Sequence, residues 1–160
     1  MKIGIIIIFS NNAARINVEM ISKSLKPSGD LVLCLVDNQS KDRTLEKLKE
    51  IREKLINVEI VEIKKQSSLE SAKRAGARFM YNNYDLRHIG FIDANCVKSN
   101  NINEVIELVC NSKNAIIELK KELKQQPTRY TLFKSIFSVL DFLKYNDSKK
   151  SNDNTCLSST

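Results

Sequence analysis

Four short, mainly apolar segments, set apart by stripes of helical period, constrain this chain more than any other feature. Ile3 to Phe9 is the first and holds four consecutive isoleucines, Ile5 to Ile8. Leu31 to Val36 (LVLCLV), Val58 to Lys64 and His88 to Asp93 (HIGFID) are the others. Each falls well short of the ~20 residues that a membrane-spanning helix needs. Bounded by polar clusters such as Ser10-Asn11-Asn12, they read as β-strands. Val58 to Lys64 alternates, with Val58, Ile60, Val61 and Ile63 apolar; the lack of polar alternation in the others suits strands covered on both faces.

The intervening segments carry a helical period. Ala13 to Leu25 places Ile16, Met20, Ile21 and Leu25 on one side, and Asp42 to Leu55 does the same with Leu45, Leu48, Ile51 and Leu55. A third helix is expected from the Ser67-Ser68 cap to about Asn82. Asp42 is the expected N-cap of the second helix. Strands alternating with helices imply right-handed crossovers, hence an α/β fold with a mostly parallel sheet and flanking helices over residues 1–98.

After Asp93 the pattern changes. Residues 101–111, 115–125 and 128–143 all have helical spacing, so 99–146 is expected to be a helical extension packed on the core or at a dimer seam. Leu132, Phe133, Ile136, Phe137, Leu140 and Leu143 make a wide stripe suited to covering the sheet, pairing two copies or docking at a membrane surface. Residues 147–160 read as a disordered polar tail.

The formal charge is +7, but the lysines interleave with glutamates, as in Lys41 to Lys54, in the manner of solvated helix faces. Without clustered arginines or an aromatic stacking surface, a nucleic-acid partner is not expected. Cys34, Cys96, Cys110 and Cys156 have neither metal-site nor disulfide-scaffold spacing and read as reduced thiols. Lys2 precedes too short a run for a signal peptide, with no cleavage site after it. A cytoplasmic chain without a transmembrane segment is expected, with contact at the inner face of the membrane as an option for the C-terminal stripe.

Open parallel sheets bind ligands beyond the carboxyl ends of their strands. Here those ends lead into Phe9–Asn12, Asp37–Arg43, Lys64–Ser68 and Asp93–Cys96. Neither a G-x-G-x-x-G nor a P-loop motif is present. No Ser-His-Asp set is readable, and His88 is expected to be a partly exposed strand-end residue.

At these four loops the sequence resembles family 2 glycosyltransferases of the GT-A, Rossmann-like type. Ile5 to Asn11 resembles a strand ending in Pro-Thr-Tyr-Asn, with only the asparagine kept. Val36-Asp37-Asn38-Gln39-Ser40-Lys41-Asp42-Arg43-Thr44 is similar to V-D-D-G-S-x-D-x-T, the most specific piece. Ser71 to Arg78 is similar to A-A-R-N-x-G-x-R, and Gly90 to Asn95 to the strand entering the D-x-D motif. The resemblance implies a nucleoside-diphosphate sugar donor, expected to be a UDP-sugar, contacted by Phe9, Asn11, Asp37, Asn38 and Lys73. It gives Asp37 the uracil imide N–H and Lys73 the phosphates. It also implies Mn²⁺ or Mg²⁺ held by Asp93 and Asn95, and an acceptor that is a glycan, lipid or protein. Asn95 replaces a carboxylate, Asn38 a second aspartate, Ser68 a glycine and Ile8 a proline. Catalytic residues stay unassigned, because Glu104, Glu107, Glu118, Glu122 and Asp141 stand in no recognisable motif. Two functions remain open: sugar transfer, or a catalytically inactive domain of this type acting as a binding or interaction module.

Overall fold

A computed structural model describes residues 2–24, 31–97, 104, 136–139 and 141. Within them lie β1 (Lys2–Phe9), α1 (Val18–Ser24), β2 (Leu31–Asn38), α2 (Thr44–Lys54), β3 (Val58–Ile63), α3 (Leu69–Asn83), β4 (Leu86–Asp93) and β5 (Ile136–Ser138). The five strands form one sheet in the order β3-β2-β1-β4-β5, with every neighbouring pair parallel.

That order explains which face each helix covers. The chain steps outward from β1 to β2 to β3, then crosses back over β1 to β4. Right-handed crossovers in opposite directions put their helices on opposite faces. Accordingly Ile21 of α1 and Leu48 and Ile51 of α2 pack with Ile3, Ile5, Ile7 and Phe9 on one face. Ala72, Ala77 and Met80 of α3 pack with Ile6, Ile8, Val32, Cys34 and Val36 on the other. The isoleucine run therefore feeds two cores at once, each fully buried side chain contributing about 1.5–3 kcal/mol. Gly76 lets α3 lie this close: a Cβ there would stand 3.0 Å from a methyl of Ile6 and 3.1 Å from one of Val36.

The structure departs from expectation at four places. The first helix is broken, with a 3₁₀ turn at Ala13–Arg15 and α1 starting only at Val18. Ile16 is extended, and Asn17 acts as the cap, its Oδ1 accepting the Met20 N–H at 3.1 Å. Helix α2 begins two residues after Asp42, which still accepts the Thr44 N–H at 3.0 Å. His88 is 7% exposed, because β4 starts earlier than expected and encloses it. Within the stretch expected to be a helix over 128–143, Ile136–Ser138 instead add a short strand to β4, with Ile136 opposite Ile89. The other helices expected over 99–146, the dimer seam assigned to them and the polar tail lie outside the described residues, apart from Glu104 and Asp141, which are exposed.

Candidate functional site

The carboxyl ends of β1, β2, β3 and β4 share one edge of the sheet. Strand order reverses between β1 and β4, the crevice where ligands of such sheets bind. The loop after β1 forms the centre of this edge and is tied to both neighbours.

Toward β2 the ties are dense. Asn11 sits in the left-handed region (φ 54°), a conformation asparagine tolerates better than most residues. Its N–H donates to Ser40 Oγ at 3.0 Å, and its Oδ1 accepts the Lys41 N–H at 2.8 Å. The Asn12 N–H donates to Thr44 Oγ1 at 2.8 Å, and the Ala13 N–H to Asp42 Oδ2 at 3.0 Å. Lys47 Nζ bridges the carbonyls of Ala13 and Ile16 at 2.8 and 3.0 Å. Burial pushes the Asp42 carboxyl up. The Thr44 hydroxyl and the N–H groups of Ala13 and Thr44 outweigh this and hold it below its ordinary range.

Toward β4 the ties fall on the turn that follows it. Asn12 Nδ2 donates to Asn95 Oδ1 at 2.9 Å. Arg15 donates from Nη1 to the Ala94 carbonyl at 2.8 Å and from Nη2 to the Val97 carbonyl at 2.7 Å. Asp93 caps this turn, with Oδ1 accepting the Asn95 N–H at 3.0 Å and Oδ2 accepting from Cys96 Sγ at 3.3 Å.

Among the residues singled out from sequence, Asp37 has the most telling surroundings. It is 2% exposed at the end of β2, opposite Phe9. Its Oδ2 accepts the Ser40 N–H at 3.2 Å, while its buried Oδ1 accepts no hydrogen bond among the described residues. A buried acceptor without a donor costs about 1–3 kcal/mol and calls for an explanation. The Phe9 side chain is in the core at 0% exposure, leaving only its main chain to reach a ligand. Asn38 points to the α3 side, where its amide is engaged with Ser67: Nδ2 donates to the carbonyl at 2.8 Å, and Oδ1 accepts from N and Oγ at 3.1 Å each. Lys73 lies on that same face, its ammonium 3.7 Å from the centre of the Phe91 ring and 2.6 Å from Glu70 Oε1. The Lys73 ammonium, bonding Glu70, holds that carboxyl below its ordinary range.

Asp93 and Asn95 both carry oxygens of the kind that hard cations take. The carboxylate has acceptor capacity beyond the two bonds it accepts, and the amide oxygen beyond its one. That leaves most of an octahedral shell to a diphosphate and water, the manner in which Mg²⁺ is usually held. No group of three His, Cys, Asp or Glu side chains suited to a metal occurs among the described residues. The donor set therefore fits a cation shared with an anionic ligand, not one caged by protein alone.

Sequence reasoning missed Asn12, Arg15, Lys47 and Ser67 as site residues: Arg15 and Lys47 bond remote backbone carbonyls, Asn12 and Ser67 remote side chains, and neither kind of pairing leaves a spacing signal. Gln39 had a signal: it takes φ 52° at the position where the V-D-D-G-S pattern carries glycine.

Among solved structures, S. aureus TarS 1-349 in complex with UDP is 21% identical over 59% of this chain and 27% of that one, with a TM-score of 0.48. TarS 1-349 in complex with UDP-GlcNAc is 19% identical over 58% and 26%, at 0.46. The mannosyltransferase PcManGT from Pyrobaculum calidifontis, in complex with GDP-Man and Mn²⁺, is 20% identical over 49% and 24%, at 0.43. The chain thus spans about a quarter of each of these structures. No curated protein matches it. Residues 5–153 match the family described as Glycosyl transferase family 2, nearly the full length, and the chain belongs to that family.

Proposed function

We propose that the chain binds a nucleoside-diphosphate sugar of the UDP type across the ends of β2, β1 and β4, and serves sugar transfer to a glycan, lipid or protein acceptor. The observation that carries this reading is Asp37 Oδ1, a buried acceptor awaiting a donor at the sheet's ligand-binding edge. The imide N–H of uracil supplies such a donor. Cytosine and adenine present a lone pair at the equivalent position and would leave two acceptors facing each other.

The remaining roles are those the family resemblance implies. Phe9 contributes main chain, and Asn11 the turn beside the base. Asn38 acts by fixing Ser67. Lys73 offers its ammonium to the phosphates, as a point charge and without an arginine's fork. Asp93 and Asn95 would hold Mn²⁺ or Mg²⁺ against the diphosphate, where a cation offsets charge on the departing nucleotide. The strands carrying Asp37 and Asp93 flank β1, so two inter-strand spacings, about 9–10 Å, separate them. A nucleoside reaching from base edge to phosphate matches that span. In the transfer, an acceptor hydroxyl oxygen bonds to the sugar's anomeric carbon and gives up its proton to water, while the anomeric carbon–oxygen bond to the diphosphate breaks and its electron pair leaves with the nucleoside diphosphate. A cytoplasmic setting suits a nucleotide-activated donor, and no described helix is long and apolar enough to cross a membrane.

One observation favours the second reading, a module that binds without turnover. Asn95 Oδ1 already accepts from Asn12 and brings no negative charge to a metal. Calorimetric titration with UDP, GDP, CDP and ADP, with and without Mn²⁺, in wild type and Asp37→Asn, tests both. Asparagine offers one oxygen to both the Ser40 N–H and the imide, so Asp37→Asn should weaken UDP binding by about 10- to 150-fold, the worth of a hydrogen bond to a charged group, with CDP and ADP bound poorly by wild type. UDP binding without transfer of labelled sugar to any acceptor extract would favour the module. No heat with UDP at millimolar concentration would overturn the donor site altogether.

A further inference from the structure

We propose that Arg15 is a positioning residue for the diphosphate end of the site, setting where Asp93 and Asn95 stand. The proposal rests on the donor-site reading above.

The turn Ala94–Cys96 is one short 3₁₀ element, so its carbonyls lack the intrahelical partners a longer helix would give them. Arg15 supplies donors to two of the carbonyls in and beside it, Ala94 and Val97, from two different nitrogens of one planar fork. Two bonds from a rigid group fix both the position and the tilt of the turn, which a single bond cannot do. The Ala94 carbonyl lies between the two residues at issue, so a shift of Ala94 moves both Asp93 and Asn95.

The base of Arg15 is anchored in turn. Lys47 of α2 holds the carbonyls of Ala13 and Ile16, on either side of Arg15 in the chain. Asp42 holds the Ala13 N–H, and Thr44 the Asn12 N–H. An unbroken series of contacts thus runs from the start of α2, through the loop after β1, to the turn after β4. Asn12 adds a second strut from the same loop by donating to Asn95. Both bonds from the Arg15 fork to this turn end on backbone, and they lie where the two ends of the site join. Its role is to preorganise the cation-binding turn at a distance set by the base-binding loop.

The test uses the full chain as wild type, Arg15→Met, which keeps the stem and removes both bonds, and Arg15→Lys. UDP is titrated with and without Mn²⁺. Partners that orient metal ligands typically govern metal affinity about 10- to 100-fold, so the gain in UDP affinity that Mn²⁺ confers should fall by about 10-fold in Arg15→Met. Arg15→Lys should fall between. Metal-free UDP affinity, carried by Asp37, should stay near wild type. A general loss of stability would lower both affinities together. An equal Mn²⁺ gain in wild type and Arg15→Met overturns the proposal.

A readout independent of ligand comes from Cys96, exposed on the same turn. Alkylation by iodoacetamide, followed at the Cys96 peptide, should be faster in Arg15→Met while buried Cys34 stays protected. Unchanged Cys96 reactivity overturns the proposal whether or not UDP binds. Absence of UDP binding by wild type sinks the donor-site reading instead, so the two failures are told apart.

Discussion

Replacing Asn38 by aspartate restores the family's second carboxylate and should destabilise this protein in a pH-dependent way. Asn38 is 8% exposed and meets Ser67 with both halves of its amide. The oxygen accepts from N–H and Oγ, and the nitrogen donates to the carbonyl at 2.8 Å. An ionised aspartate keeps the first role and cannot play the second. It would set a carboxylate oxygen against the Ser67 carbonyl, two acceptors with no proton between them. Setting two acceptors against each other in this partly buried contact costs about 1–3 kcal/mol, while charge strengthens the bonds from N–H and Oγ somewhat. A net loss of about 2 kcal/mol is expected at neutral pH.

A protonated aspartate carries the missing donor, so the loss must shrink in acid. The neutral form is favoured in the folded state, which raises the folded pKa of the introduced carboxyl above its unfolded value. A loss of about 2 kcal/mol corresponds to a rise of about 1.5 units, from about 3.9 to about 5.4. The penalty is therefore absent below about pH 4, grows between about 4 and 5.5, and is constant above. Thermal unfolding of wild type and Asn38→Asp side by side from pH 4 to 7.5 measures it. At 160 residues about 2 kcal/mol should appear as a gap of about 4–8 °C at neutral pH. The gap should close on acidification. A gap that is absent, or that stays the same at every pH, refutes the argument that the amide donor to Ser67 matters.

Gly76→Ala places a Cβ at 3.0 Å from Ile6 and 3.1 Å from Val36. Overpacking at about 1–3 kcal/mol outweighs the gain of about 1 kcal/mol in helix propensity. A net loss of about 1 kcal/mol should lower the thermal midpoint by about 2–4 °C, and an unchanged or raised midpoint would mean α3 rides up without cost. Asp42 has its pKa depressed by the hydrogen bonds it accepts, so its contribution is present above the unfolded value of about 3.9 and is lost as pH falls through the folded one. Wild type should accordingly exceed Asp42→Ala in midpoint at pH 6 and converge with it in strong acid; a difference that persists in strong acid would contradict this.

The strands were legible because a parallel sheet with both faces covered leaves an unmistakable trace: Ile3 to Phe9 and Leu31 to Val36 have almost no exposed position. Ser68 was legible as a cap, and it accepts the Ser71 N–H at 3.2 Å. Asn17 was not, because it sits between Ile16 and Met20 in a spacing that looks continuous, so apolar period masked the cap. Ile136 to Ser138 fell in a stripe equally compatible with helix, and only pairing with distant β4 decides between the two. In the site, loop positions followed from strand ends alone. The braces did not: a side chain that satisfies a backbone carbonyl about 80 positions away, as Arg15 does, has no pattern to betray it.

The division of the site between two sheet faces has its own consequence. Side chains alternate along a strand. Asp37 follows Leu33 and Leu35 onto the α1–α2 face, whereas Asn38, Lys73 and Phe91 belong to the α3 side. No single helix supports both groups. A ligand touching Asp37 and Asp93 must pass over the end of β1, and whatever lies there fixes its path. Here that is Ser10 to Asn12, held by contacts on both flanks: the Ser10 N–H on Asn12 Oδ1 at 2.7 Å, Ser40 and Lys41 on Asn11, Thr44 and Asn95 on Asn12. On the donor-site proposal, such bracing would lower the ordering cost of binding. It also explains how the P-T-Y-N proline and tyrosine can be lost, with Ile8 and Ser10 in their places, while the asparagine stays. The left-handed turn and its two bonds to the β2 loop need that residue, and the core beneath it needs only an apolar one.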